Sequence, residues 1–273
     1  MADRIGFIGL GNMGQPMALQ VAKAGYDLQV YDIRKESLPP LLSAGAKVAS
    51  APREIARHAD IVQMVVMDDE QVLALTAGPD GIIESCRPGT LIVIHSTVLP
   101  ETVEKVAAVA AARGVEVIDA PISGGATGAL EKTLCYMVGG SQSAFERCKP
   151  LFATSGANII HVGPLGTGAM AKLTNNLMTY VNMLATSEGM RLAEKSGIDI
   201  KAFCEVVHAS SGQSRVTDNW MQRVSRRKSD PDRPDRLLNL IHKDLRLVLD
   251  MGHKLRITLP AAALAQQSIE KIM

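Results

Sequence analysis

The stretch IGFIGLGNMGQPMA, residues 5–18, limits the possible folds of this chain more than any other. RIGFIGL reads as a nearly continuous apolar strand, the pattern of a parallel sheet covered on both faces. Gly9, Gly11 and Gly14 follow in GxGxxG spacing, and a helix opens through MALQVAKAG. Gly9 lets the chain turn tightly. Gly11 removes the β-carbon that would collide with a pyrophosphate, and Gly14 lets helix and strand pack closely. Backbone amides at the helix start, around Asn12 and Met13, are then open to phosphate. Three glycines alone also fit a plain turn in a generic α/β domain, so the rest of the chain must decide.

Asp32 ends the second strand, DLQVYD, 21 residues after Gly11. A carboxylate there accepts hydrogen bonds from a ribose diol. The alternative for Asp32 is a solvated turn aspartate. The order strand, glycine turn, helix, strand, acid favours a dinucleotide. Like charge would repel a 2′-phosphate, so NAD is expected over NADP, although Arg34 and Lys35 lie close enough to soften that preference.

Further strands are expected at 61–67, 89–96 and 114–121, with helices around 51–59, 68–75 and 101–113 between them. Strands alternating with helices imply right-handed crossovers and an open α/β sheet. TLCYMVGG (133–140) and NIIHVG (158–163) extend it, separated by a helix in SQSAFERCKPLFATSG. Residues 169–195 hold no Pro and one Gly, with apolar residues at three- and four-residue spacing. They read as one helix of roughly 28 residues, a spine between two domains. Everything beyond looks helical, interrupted at 210–214 and 228–235. The expected domains are therefore 1–163, α/β and dinucleotide-binding, and 164–273, all-helical and devoted to substrate and oligomerisation.

Composition excludes several classes. The chain has 273 residues, 47% apolar and 21% charged, with a net charge of +1, so no global field draws it to nucleic acid or an anionic membrane. Its four cysteines are scattered without CxxC, and no histidines stand at ligand spacing, which argues for a reducing compartment and against a metal site. MADRIGF lacks the features of a secretory signal, and no stretch is apolar enough for a membrane span. A soluble, cytoplasmic protein is expected.

Several strand ends carry chemistry. VMDDE (66–70) borders the expected crevice, where Met67 packs on a cofactor or, equally, in the core. In HST (95–97), Ser96 and Thr97 can donate to a cofactor or a carboxylate. His95 is either a general acid or, the plainer reading, structural. DAPISGG (119–125) offers the Ser123 hydroxyl and the amides of Gly124 and Gly125 in a nest suited to a carboxylate, or else a flexible loop capping a helix.

GPLGTGAMAKLTNN (163–176) is the densest signal. Lys172 and Asn176, spaced i, i+4, share one helical face. An interdomain lysine can exchange a proton with a carbonyl or hydroxyl oxygen as hydride moves, while Asn176 anchors the hydroxyl or carboxylate and Asn175 is structural. The bland account is a surface lysine beside a capping amide. Lys243, in HKDLRLVLD, either closes over the cofactor or the substrate anion or forms a helix-surface pair, and Asp244 is ready to pair with a cation.

Together these segments resemble the β-hydroxyacid dehydrogenase family, which includes 3-hydroxyisobutyrate dehydrogenases and tartronate semialdehyde reductases. The resemblance runs through GFIGLGNMGQPMA, VVMDDEQV, HSTVLP, DAPISGGATGALEKTLCYMVGG, GPLGTGAMAKLTNN and KDLRLVLDMG. It implies a Rossmann-type domain joined by a long interdomain helix to an all-helical domain, in dimers or tetramers. It further implies nicotinamide dinucleotide on the first glycine run, substrate carboxylate on the SGG turn, Lys172 as acid/base and Asn176 positioning substrate. Imine reductases share the fold but usually lack the lysine.

The chain departs from the family pattern in four places. His95 stands where an acid is usual, and Lys132 where a glycine commonly precedes TL. Arg223, Arg226, Arg227, Lys228, Arg233 and Arg236 crowd the segment before KD, forming a solvated basic loop or a reader of more anionic substrates. The chain also ends at SIEKIM, sooner than most members, whose last turns often pack on a partner subunit. The expected reaction is hydride transfer between NAD and a small 3-hydroxy acid. The alternatives are NADPH-dependent reduction of a small semialdehyde (tartronate, succinic or glyoxylate type) and a non-catalytic dinucleotide sensor.

Overall fold

A computed structural model describes the backbone of residues 3–229 and 233–272 and the side chains of 3–225 and 237–270. The strand-forming runs are short and apolar on both sides, and each becomes a strand: β1 (Ile5–Ile8), β2 (Leu28–Tyr31), β3 (Lys47–Val48), β4 (Ile61–Met64), β5 (Leu91–Ile94), β6 (Glu116–Asp119), β7 (Ile122–Ser123), β8 (Leu134–Gly139) and β9 (Gly156–Gly163). The helices among them are α1 (Gly14–Lys23), α2 (Pro39–Ser43), α3 (Pro52–His58), α4 (Asp69–Thr76), α5 (Pro100–Ala111), α6 (Gly125–Leu130) and α7 (Gln142–Phe152). Strands β3 and β7, two residues each, and helices α2 and α6 were not expected from the sequence.

Strand order is β3-β2-β1-β4-β5-β6-β8-β7, with β9 on β8. Pairings from β3 through β6 are parallel, whereas β8 runs antiparallel to β6 and β7. The chain winds outward from β1 through β2 to β3, then returns to place β4 on the other side of β1. That reversal opens a crevice beyond the carboxyl ends of β1 and β4.

Side chains alternate across the sheet because the pleat has period two. On β5, Leu91 and Val93 face a core with Phe7 of β1, Met17 and Val21 of α1 and Phe152 of α7. Ile92 and Ile94 face the opposite core with Ile55, Val103 and Val106, supplied by α3 and α5. Each such side chain, fully buried, contributes about 1.5–3 kcal/mol. This two-sided burial explains why the strands read as continuous apolar runs rather than alternating ones.

Next comes α8 (Thr167–Lys195), 29 residues long, then α9 (Ile200–His208), α10 (Arg215–Asp218), α11 (Trp220–Ser229), α12 (Arg233–Leu255) and α13 (Pro260–Ile272). The chain divides into two units, Met1–Lys172 and Leu173–Met273. The division falls inside α8, a few residues beyond the texture change at 163–168, because the first turn of α8 is fastened to the sheet. In the second unit α12 and α13 carry the buried Ile241, Leu245, Ala262 and Ala265. Arg223 donates to Met183 Sδ at 3.2 Å. The backbone at 223–229 and from 233 onward, expected as a basic loop with an interruption at 228–235, is helical in α11 and α12, and the side chains of Arg226, Arg227, Lys228, Arg233 and Arg236 lie outside the described residues. Among the described residues no helix is long and apolar enough to cross a membrane, and no His, Cys, Asp and Glu cluster suits a metal ion. All four cysteines are free.

Candidate dinucleotide and hydroxy-acid site

The glycine turn sits where β1 ends. Gly9 has φ +89°, and a β-carbon on it would stand 2.1 Å from the Val65 carbonyl oxygen. One on Gly14 would stand 1.9 Å from the Gly9 carbonyl oxygen. Both glycines are therefore required by the protein's own backbone. Gly11 differs: a β-carbon there would meet only the flexible guanidinium of Arg34, at 3.1 Å. Nothing in the backbone demands a glycine at 11, so the open approach it leaves fits a ligand that must come close. The N-terminus of α1 has no side-chain cap either: Met13 at the cap position gives no side-chain hydrogen bond and the first turn holds no acid. Asn12 is exposed and Met13 half-buried. An uncapped ten-residue helix behind a close-approach glycine fits a pyrophosphate.

Asp32 stands at the end of β2 and braces this turn. Its Oδ2 accepts from Leu10 N at 2.5 Å, and its Oδ1 accepts from Arg34 N at 2.7 Å and from Arg34 Nε at 3.4 Å. Burial pushes its pKa up, but these hydrogen bonds and the Arg34 charge outweigh that and hold the carboxyl below its ordinary value. Ile33 beside it is 84% exposed.

The ends of β4 and β5 are tied together. Ser96 Oγ accepts from Val66 N at 2.8 Å and is buried, which makes it a brace. Thr97 is half-buried. Met67 is 62% exposed, so it does not pack in the core and is open to a ligand. Asp69, at the start of α4, accepts from Leu99 N at 2.9 Å and Thr102 Oγ1 at 2.6 Å, fixing the loop that carries Thr97.

His95 lies 2% exposed among the rings of Phe7, Tyr136 and Phe152. Its Nδ1 donates to Ala120 O at 2.6 Å, and its Nε2 stands 3.0 Å from the Gln63 amide. Burial lowers its pKa to about 4, against the opposing bond to Ala120. The ring is neutral, so Nε2 is an acceptor and the otherwise unpartnered Gln63 NH₂ belongs opposite it. His95 is a core residue.

At the far side of the sheet Ser123, the last residue of β7, pairs with Cys135 of β8. Gly124 and Gly125 follow with φ of +135° and +70°. At Gly124 a β-carbon would press on Leu134 Cδ2 at 2.9 Å, whereas at Gly125 it would meet nothing. Lys172, half-buried, is the sixth residue of α8.

In the second unit Asn176 and Tyr180, one turn apart on α8, converge on one carboxylate of α12. Asp244 Oδ2 accepts from Asn176 Nδ2 at 2.8 Å and from Tyr180 Oη at 2.7 Å, and Lys243 Nζ stands 3.1 Å from Oδ1. Asp244 is 1% exposed. As an acceptor only, its carboxylate fixes which way the Asn176 amide points. Asn176 Oδ1 accepts from Asn175 Nδ2 at 3.3 Å, so Asn175 supports its neighbour. Burial, then the Asp244 charge, raise the Tyr180 pKa and keep the phenol protonated. Sequence reasoning did not find Tyr180, since a tyrosine at helical spacing reads as core.

Comparison with known proteins gives the same assignment throughout the chain. Residues 4–163 match the family described as the NAD binding domain of 6-phosphogluconate dehydrogenase. Residues 166–273 match that described as NAD-binding of NADP-dependent 3-hydroxyisobutyrate dehydrogenase. The chain belongs to the β-hydroxyacid dehydrogenase family. Such a dehydrogenase is an oxidoreductase that binds NAD, which the open glycine turn and uncapped α1 fit. The NAD-dependent L-serine dehydrogenase of Pseudomonas aeruginosa is 40% identical over 221 residues, covering 81% of this chain and 72% of that one. The 3-hydroxyisobutyrate dehydrogenase of the same organism is 34% identical over 266 residues, covering 96% and 89%. Among solved structures, the Mycobacterium tuberculosis 3-hydroxyisobutyrate dehydrogenase with L-serine superposes with a TM-score of 0.83 at 28% identity, covering 99% and 94%. Imine reductases such as that of Streptomyces aurantiacus, 17% identical with a TM-score of 0.70, share the fold alone with this β-hydroxyacid dehydrogenase.

Proposed function

We propose that this chain oxidises a small 3-hydroxy acid with NAD, using Lys172 as the general acid/base. The observation that carries this reading is the sequence of side chains on α8. Lys172 and, one turn on, Asn176 follow directly upon the segment fastened to the sheet, and the Asn176 amide is already oriented by Asp244. The bound nicotinamide supplies the hydride acceptor. Lys172 Nζ takes the hydroxyl proton as the carbinol carbon is oxidised and returns it in the reverse direction. Ser123 Oγ, the amides of Gly124 and Gly125, and the remaining Asn176 N–H bind the carboxylate and turn the carbinol hydrogen toward the ring. Gly9, Gly11, Asn12, Met13 and Gly14 receive the pyrophosphate, Asp32 the ribose, Met67 and Thr97 the strand-end side of the cofactor. Lys243, neutralised at rest by Asp244, closes over it. Assembly into a homodimer or homotetramer belongs to the same reading, supported by α9, an apolar helix that buries none of its own side chains.

L-serine and 3-hydroxyisobutyrate share the carboxylate and the β-hydroxyl that this arrangement addresses, and both appear among the relatives' substrates or ligands. A second reading, reduction of a small semialdehyde with NADPH, draws support from Arg34, whose guanidinium offsets the Asp32 charge from 3.4 Å.

The test is NADH formation by the purified chain with 3-hydroxyisobutyrate, L-serine, 3-hydroxypropionate, glycerate and 4-hydroxybutyrate, each repeated with NADP. Turnover with at least one 3-hydroxy acid is expected, falling by about 10²–10⁴-fold in Lys172→Ala with NAD binding retained. Lys172→Ala turning over at the wild-type rate would overturn the acid/base assignment.

A further inference from the structure

The first turn of α8 is held by a residue far upstream. Asp119 ends β6 and is 1% exposed. Its Oδ1 accepts from Gly166 N at 2.8 Å, and its Oδ2 accepts from Ala169 N at 2.6 Å. The residue before α8 is Gly166, which has no side chain to cap it, and the Thr167 hydroxyl donates to Pro164 O at 2.6 Å. Backbones are pressed together around the carboxylate. A β-carbon on Gly139, the register partner of Asp119, would stand 2.5 Å from Oδ1 and 2.7 Å from Gly168 N. One on Gly168 would stand 2.4 Å from Met137 O and 2.8 Å from Oδ2.

The geometry points to Asp119 as the positioning residue for Lys172. This inference rests on the reading of Lys172 as the acid/base. A single hydrogen bond would fix the height of a helix end and leave it free to turn. Two oxygens of one carboxylate gripping amides on either side of the first residues fix height and rotation together. Lys172 is three residues beyond Ala169, about 4.5 Å along the axis, so its Nζ inherits that rotation directly. A displacement near 1 Å at a reacting group lowers a rate by about 10²-fold. The carboxylate also sits at the positive end of the helix dipole, whose field would otherwise oppose an ammonium on the following turn. Burial pushes the Asp119 carboxyl above its ordinary value, against the backbone N–H bonds of Gly166, Ala169 and Gly168, so these bonds hold a carboxylate in a position that disfavours charge. A cap needed only for helix stability is met by an exposed serine, as Ser141 does for α7.

Asp119→Asn keeps shape and removes one acceptor, leaving Gly166 N or Ala169 N facing an NH₂. The expected result is kcat about 10–100-fold lower. NAD affinity, measured by calorimetry without substrate, and the substrate KM should stay within about threefold of wild type. In the double variant Asp119→Asn/Lys172→Ala, single-turnover hydride transfer should match Lys172→Ala alone, since a residue acting through Lys172 has nothing left to position. Gly168→Ala, which shifts the same turn while keeping the carboxylate, should show the same loss and the same silence in the Lys172→Ala background, and it stands in if Asp119→Asn fails to fold. A kcat within twofold of wild type, equal losses in NAD affinity and kcat, or a further fall in the double variant would overturn the inference. If Lys172→Ala alone retains wild-type turnover, the acid/base reading fails first and this one with it.

Discussion

The glycine turn after β1 and the polar cluster around Asp244 are both small and both surround atoms assigned to ligands, but they are held by opposite means. The turn is fixed by backbone: Gly9 and Gly14 have no room for a β-carbon, and Asp32 adds one bond to Leu10 N. The cluster is fixed by charge: a buried carboxylate gathers an amide, a phenol and an ammonium. A backbone-built site tolerates loss of any one side chain that merely touches it. A charge-built site is weakened most when its shared acceptor is removed, because the buried donors it gathers lose that bond together.

The widest separation between the two regions is expected from Asp244→Ala. It removes the acceptor shared by Asn176 and Tyr180 and one ion pair of Lys243, and a loss of about 3 kcal/mol in urea unfolding is expected. A loss below about 1 kcal/mol would mean the cluster does not depend on its carboxylate. Next is the pair Gly9→Ala and Gly11→Ala within the turn itself. Gly9→Ala places a methyl against Val65 O at a positive φ and should lower stability by about 3 kcal/mol. Gly11→Ala displaces only Arg34, so the unfolding midpoint should hold while calorimetry shows NAD binding at least about tenfold weaker. Equal stability losses in the two variants would show that Gly11 also answers to the backbone rather than to a ligand.

The same contrast explains what the sequence disclosed. The parallel strands were legible because burial on both faces leaves unbroken apolar runs, and Gly9, Gly11, Gly14 and Asp32 because their geometry is local to one strand–turn–helix unit. Strand β3 is two exposed residues and β7 only two, too short for any period to appear. Helix α6 was hidden in GATGAL, whose glycines argue against a helix. Lys172 and Asn176 could be named, but not what holds them. Asp119 meets Gly166 and Ala169 across 47 and 50 residues, and Asp244 meets Asn176 across 68, distances at which spacing carries no information. His95 stayed open between catalyst and core until Gln63 and Ala120 appeared on either side of its ring.

Lys132 provides the smallest test, and it sits on the backbone side of the comparison. It follows α6 and has φ +60°, the left-handed region in which an L side chain crowds its own carbonyl. Its amide donates to Ala129 O at 3.4 Å, and the next amide, Thr133 N, donates to Gly128 O at 2.8 Å, so the chain closes the helix as a glycine would. A glycine was expected here from the resemblance, and the chain adopts a glycine-like conformation with a lysine. The side chain is exposed, so its removal sacrifices no packing. Lys132→Gly should therefore raise stability by about 1 kcal/mol, the left-handed strain relieved less the greater freedom glycine gives the unfolded chain. Turnover should not change, because the turn lies on the α6 side of Ser123 rather than in it. A lower unfolding midpoint would mean that the lysine makes a contact outweighing its backbone strain, and that side chains, not backbone, set this turn too.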